Sequence, residues 1–168
     1  MNKLESLVII GVLGLLPVLP AAAQMFSISD YNSGEPIEVS ADSLDVDSES
    51  RDVTLYGSVQ VMQGELTVRA DTMVVHYNDD GDGNRVESIQ ANGDVVVLTD
   101  DGTAHGDAGL WSVASGIVIL EKNVRLVNDD AVLTGTKVTL DLASGQVNIV
   151  GGEERVNILL SAVDEDDQ

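Results

Sequence analysis

The stretch Asn78-x-Asp80-x-Asp82-Gly83 has the oxygen-ligand spacing that opens a calcium-binding loop. The second half of that loop is missing, because Ile89 stands where the bidentate Glu belongs and no flanking helices are predicted. The imidazoles are those of His76 and His105, there is no cysteine, and no Gly-x-Ser-x-Gly elbow presents a nucleophilic serine. His76, between Val75 and Tyr77, is expected on the opposite strand face from them, toward solvent. The 29 acidic residues are spread over turns and polar strand positions, where hydration accounts for them. Carboxylate-pair hydrolysis needs two acids converging in a cleft. No catalytic residue, metal ligand or cofactor is therefore assigned, and the chain reads as a non-enzyme.

The elements that must carry these residues are strands. Apolar and polar residues alternate through Val53/Leu55, Val59/Val61, Leu66/Val68, Met73/Val75, Val95/Val97, Val124/Leu126 and Val138/Leu140/Leu142, the period of two that marks half-buried β-structure. No helical stripe is sustained, and Pro36 is the last proline, so nothing from Ile37 onward is barred from a central strand. Turn residues at Gln63-Gly64, 78–84, Asp101-Gly102, Ser115-Gly116, 128–130 and Ser144-Gly145 divide the pattern into roughly sixteen short strands.

The pattern also repeats. Asp42 to Asp71 spans 29 residues, Asp71 to Asp107 spans 36 and Asp107 to Thr136 spans 29 again, while Gly57–Asp71, Gly93–Asp107 and Lys122–Thr136 are each 14 apart. Units too small to bury a face alone must stack, and two strand layers around one core follow. Gly57 and Gly93 are expected at bulges or bends, with Asp42, Asp71 and Asp107 bonding backbone at the corners. An interior built of small aliphatic residues is compatible either with a solid Val/Leu core or with a channel between the layers. The exposed edges are expected near Ile37–Val39 and Arg155–Leu160, either guarded by polar side chains or open to strand addition by another protein.

Residues 1–23 have the form of a signal peptide: Lys3, an apolar run from Leu7 to Leu19, and small Ala21 and Ala23 before Gln24. Pro17 and Pro20 interrupt the run before it reaches the roughly 20 residues of a membrane span. The net charge of −21 disfavours nucleic acid and anionic lipid surfaces as charge-driven partners. Without cysteine, an exported domain must rely on burial and backbone pairing.

Glu35 to Val75 closely resembles the start of the LptA-type periplasmic lipopolysaccharide transport proteins, the OstA-like family. The resemblance rests on Pro36-Ile37-x-Val39, Gly57-x-Val59-x-Val61-x-Gln63-Gly64 and Ala70-Asp71, and continues through Gly116–Leu142 and Glu154–Leu160. Lys122-Asn123, where the family usually has Gly-Asn, and the acidic tail depart from it. The resemblance implies an all-β fold, a twisted antiparallel β-jellyroll with an apolar groove between its two sheets. It further implies a periplasmic carrier that passes lipopolysaccharide from an LptC-like inner-membrane partner to an LptD-like outer-membrane partner and self-associates head to tail. The corresponding organisation is a signal peptide (1–23), a flexible mature N-terminus (24–34), the jellyroll domain (35–162) and an acidic tail (163–168).

Strand parity then selects the groove lining for lipid A acyl chains: Ile37, Val39, Val46, Leu55, Val59, Val61, Leu66, Val68, Met73, Val75, Val95, Trp111 and Leu120. The headgroup is expected to stay outside, since little beyond Arg69, Arg85 and Lys137 could meet phosphate. The alternatives are a membrane-anchored LptC-like component, or an acidic structural or calcium-binding β-repeat protein with a filled core.

Overall fold

The computed structural model describes residues 31–79, 84–153 and 155–161; the expected signal segment, the mature start through residue 30, loop residues 80–83 and the acidic tail lie outside the described residues. Among the described residues the alternating sequence forms ten strands: β1 (Glu38–Ser40), β2 (Ser43–Asp47), β3 (Asp52–Gln63), β4 (Leu66–Asp79), β5 (Asn84–Thr99), β6 (Gly102–Ser112), β7 (Ile117–Val127), β8 (Ala131–Asp141), β9 (Gln146–Val150) and β10 (Asn157–Leu160). They make one antiparallel sheet in the order β1-β3-β4-β5-β6-β7-β8-β10, with β2 also pairing β3 and β9 also pairing β8.

Strands β3 to β8 are each kinked near the middle, and the kinks lie side by side. Register slips between Tyr56 and Val59, Asn92 and Val95, and Glu121 and Val124. At those sites Gly57 (φ 77°), Ser58 (45°), Gly93 (79°), Asp94 (42°), Lys122 (63°) and Asn123 (50°) take left-handed backbone, which turns the strand. The line of bulges creases the sheet into two leaves. The first runs from β1, paired to Gln60–Met62, to β10, paired to Ala131–Thr134. The second runs from β2, paired to Asp52–Tyr56, to β9, paired to Lys137–Asp141.

This crease corrects the strand count and explains the repeat. The sequence suggests roughly sixteen strands because each of the six long ones is interrupted by turn-like residues. Those residues bend a continuous strand instead of ending it. At each bend a short polar side chain leans on its neighbour. Asp42 packs against Gly57 and Asp71 against Gly93, Asp107 Oδ2 accepts from Asn123 Nδ2 at 2.6 Å, and Thr136 Oγ1 donates to the Val150 carbonyl at 3.1 Å beside Gly152. The 29- and 36-residue spacings are thus the distance along the chain between successive rungs of one ladder. The bond made by Asp107 goes to a side chain, where a backbone partner is expected from sequence.

Between the leaves lies a single apolar cluster. Val61, Val68, Val97 and Leu126 of the first leaf meet Met73, Ile89, Trp111 and Leu120 of the second, none more than 3% exposed. Among the described residues, the void between the leaves lined by Val68, Ile89, Val97, Trp111 and Leu120 measures ≈ 10 Å³, no more than room for one water. At this place small branched side chains from opposite leaves interdigitate and leave almost no space between them.

Candidate functional site

The thirteen residues selected by parity divide into two groups. Leu55, Val59, Val61, Leu66, Val68, Met73, Val75, Val95, Trp111 and Leu120 are all buried on the inner faces of the leaves. Ile37 packs partly buried against them. Val39 and Val46 do not join the core; they are 45% and 64% exposed.

Register explains the exposure. Val39 sits directly opposite Val61, and Val46 opposite Val53 on a strand whose neighbour Leu55 is buried, so both point to the inner face. They lie on the first strands, across from which nothing is stacked among the described residues. The far edge repeats this arrangement: Ile158 faces Leu133 and Leu160 faces Ala131, both partners being buried, yet Ile158 is 59% and Leu160 68% exposed. Leu44, opposite Leu55, is exposed in the same way. The apolar inner surface is thus continuous from one sheet edge to the other, covered in the middle and bare at both ends. Leu44, Ile158 and Leu160 escape the sequence selection, because parity alone does not say which edge residues stand opposite a buried partner. The signal available was their opposition to a buried partner, which requires the register.

Polar groups are arranged around this surface. Lys137 Nζ donates to Glu121 Oε1 at 2.8 Å, and this bond together with the Lys137 charge holds Glu121 below the usual carboxylate range. Arg69 Nε donates to Gln60 Oε1 at 3.0 Å. His76 lies on the outer face as expected, its side chain 35% exposed, with Nδ1 2.7 Å from Asp52 Oδ1 directly across the β3–β4 pair. Two aspartates close turns. Asp47 Oδ1 accepts from the N–H groups of Glu49 (2.8 Å) and Ser50 (3.2 Å), and Asp141 Oδ1 from those of Ser144 (3.1 Å) and Ala143 (3.1 Å). Those bonds lower the pKa of both carboxyls.

The buried polar side chain among the described residues is Gln63, 3% exposed; its Nε2 donates to the carbonyls of Ser33 (3.2 Å) and Glu35 (2.9 Å). Tyr31 lies beside it and bonds the indole of Trp111; burial pushes the Tyr31 phenol above its ordinary pKa, an effect the Trp111 N–H partly offsets. Among the described residues no three His, Cys, Asp or Glu side chains are grouped to hold a metal, while Asp80 and Asp82 of the calcium-like stretch lie outside them. What this geometry offers a ligand is extended, directionless apolar contact, suited to hydrocarbon chains.

Residues 38–146 match the family described as LptA/(LptD N-terminal domain) LPS transport protein. The chain is 26% identical over 156 residues to the lipopolysaccharide export system protein LptA of Haemophilus influenzae, covering 89% of this chain and 90% of that one. It is 24% identical over 135 residues to an uncharacterised protein of Rhizobium meliloti, covering 77% of this chain and 73% of that one. Among solved structures it superposes with TM-score 0.69 at 19% identity on LptH of Pseudomonas aeruginosa, described as the LptA-homologous periplasmic component of the lipopolysaccharide transport device. That match covers 79% of this chain and 99% of the other. No helix among the described residues is long and apolar enough to cross a membrane.

Proposed function

Because the chain belongs to the LptA/(LptD N-terminal domain) family of LPS transport proteins, we propose that it is a periplasmic lipopolysaccharide carrier that holds lipid A acyl chains between its two leaves. Each methylene kept from water is worth about 0.8 kcal/mol, so a lipid with several chains needs a continuous apolar path to cross an aqueous space. The observation that carries this reading is the uncovered inner face at both edges: Val39 and Val46 at one, Ile158 and Leu160 at the other. An added strand on β1 or β10 would extend the sheet and its apolar face together. Copies stacked head to tail, with an LptC-like partner at one terminus and an LptD-like partner at the other, would form one path from inner to outer membrane.

In this reading the tight packing around Val68, Trp111 and Leu120 is the resting state. A void of ≈ 10 Å³ admits no acyl chain, so loading separates the leaves and exchanges side-chain contact for lipid contact. The exchange is nearly balanced, apolar for apolar, which lets chains slide. The signal segment 1–23 is removed on export, and the acidic surface leaves the phosphorylated headgroup in solvent. Native mass spectrometry of the protein purified from periplasm tests the proposal. A mature chain starting at Gln24 with lipid A bound is expected; a chain that carries no lipid A and takes none up when offered it would overturn it.

A further inference from the structure

The crease joins the leaves on one side only. On the opposite side each leaf ends in a row of hairpin turns, and residues 31–37 cross between the rows. On the first leaf this strap is fixed to the β3–β4 turn through Gln63, which grips the Ser33 and Glu35 carbonyls, while Glu35 packs over Gly64. On the second leaf it ends at the β6–β7 turn through Tyr31. The Tyr31 Oη donates to the Val113 carbonyl at 2.7 Å and accepts from Trp111 Nε1 at 3.3 Å, and it also lies 3.2 Å from Gln63 Oε1. The ring covers Gly116, where a Cβ would come within 2.7 Å of it; with a φ of 66°, that position favours glycine twice over. One side chain therefore touches both leaves at their free margins.

We propose that Tyr31 is a latch: the 31–37 strap holds the free margins of the leaves together, and acyl chains reach the interior only when Tyr31 withdraws from Trp111, Val113 and Gly116. The inference rests on the carrier reading above and adds the residue that sets its loading rate. Beside the latch the strap and the second leaf frame a cleft of ≈ 630 Å³, whose lining includes Ile37, Arg85, Val86 and Val113. Withdrawal of the strap widens this cleft toward the core. The strap continues into β1, a strand of three exposed residues, so it is held far more weakly than the sheet it spans. Tyr31 acts as a positioning residue, because its effect on lipid passes through the separation of the leaves.

Trp111 is the only tryptophan in the chain and bonds the latch directly, which makes its fluorescence the readout. Stopped-flow mixing with lipid A in detergent micelles is compared for the wild type, Tyr31→Phe, Tyr31→Ala and the outer-face control Tyr56→Phe. The lipid-bound state already has the latch undone. Losing its hydrogen bonds should therefore raise the association rate about tenfold, leave dissociation unchanged and tighten binding by the same factor. A residue needed only for folding would weaken binding instead. An association rate in Tyr31→Phe no faster than wild type, in protein with unaltered circular dichroism, overturns the latch, and this variant decides the matter if Tyr31→Ala does not fold. Should the wild type take up no lipid A, the carrier reading fails, and the latch is judged without lipid by hydrogen exchange at the Trp111 indole N–H. Faster exchange in Tyr31→Phe then supports it, and unchanged exchange overturns it.

Discussion

A methyl group added at Gly57 would fall on the Asp42 carboxylate while the backbone held a φ of 77°. Gly57→Ala should therefore cost about 1–3 kcal/mol in urea unfolding, and Gly93→Ala, set against Asp71, a similar amount. Asp47 and Asp141 give a pH signature. Each carboxyl is held below its unfolded pKa by backbone N–H bonds, so its contribution is present above the unfolded value and is lost as pH falls through the folded one. Thermal melts below about pH 4 should show that loss, and Asp47→Asn with Asp141→Asn should flatten it. At this scale much was legible: the recurring Gly and Asp announce bends whatever the fold. The lean of Asp42 on Gly57 was not, since Asp42 lies at the bend between β1 and β2 while Gly57 is on β3, and the two meet only through the pairing of those strands.

The edge strands decide how the protein assembles. Ile158 is on the inner face yet mostly bare, so Ile158→Asp should change monomer stability by about 0.5 kcal/mol or less. The same substitution places an unpaired charge in any stacked interface, and sedimentation velocity should show concentration-dependent association lost. Association as strong as wild type would exclude β10 from the contact. Alternation identified the strands and located the first and last of them correctly, because period two survives any topology. It did not reveal that six strands pass through the crease unbroken, since a bulge and a turn draw on the same residues. Nor did it reveal that each end of the sheet carries two edge strands, β1 with β2 and β9 with β10.

As a whole the molecule is a creased sheet folded over an aliphatic core and carrying a large excess of negative charge. With a net charge of −21, stacked copies repel, and raising salt from low millimolar to about 0.15 M should strengthen self-association as screening shortens to roughly 8 Å. An aliphatic composition allowed both a filled and a hollow interior, and only the family resemblance pointed to a groove, because the leaf separation is a property of packing between residues far apart in the chain. The tight contact of the leaves around Trp111 makes their separation there the central requirement for carrying lipid. Photo-crosslinking addresses it most directly, with the reactive side chain placed singly at Val61 and Leu120, which face inward, and at Glu38 and Gln60, which face outward, in protein exposed to lipid A. Adducts from Val61 and Leu120 with none from Glu38 or Gln60 are expected; adducts confined to the outward pair would show that lipid never passes between the leaves.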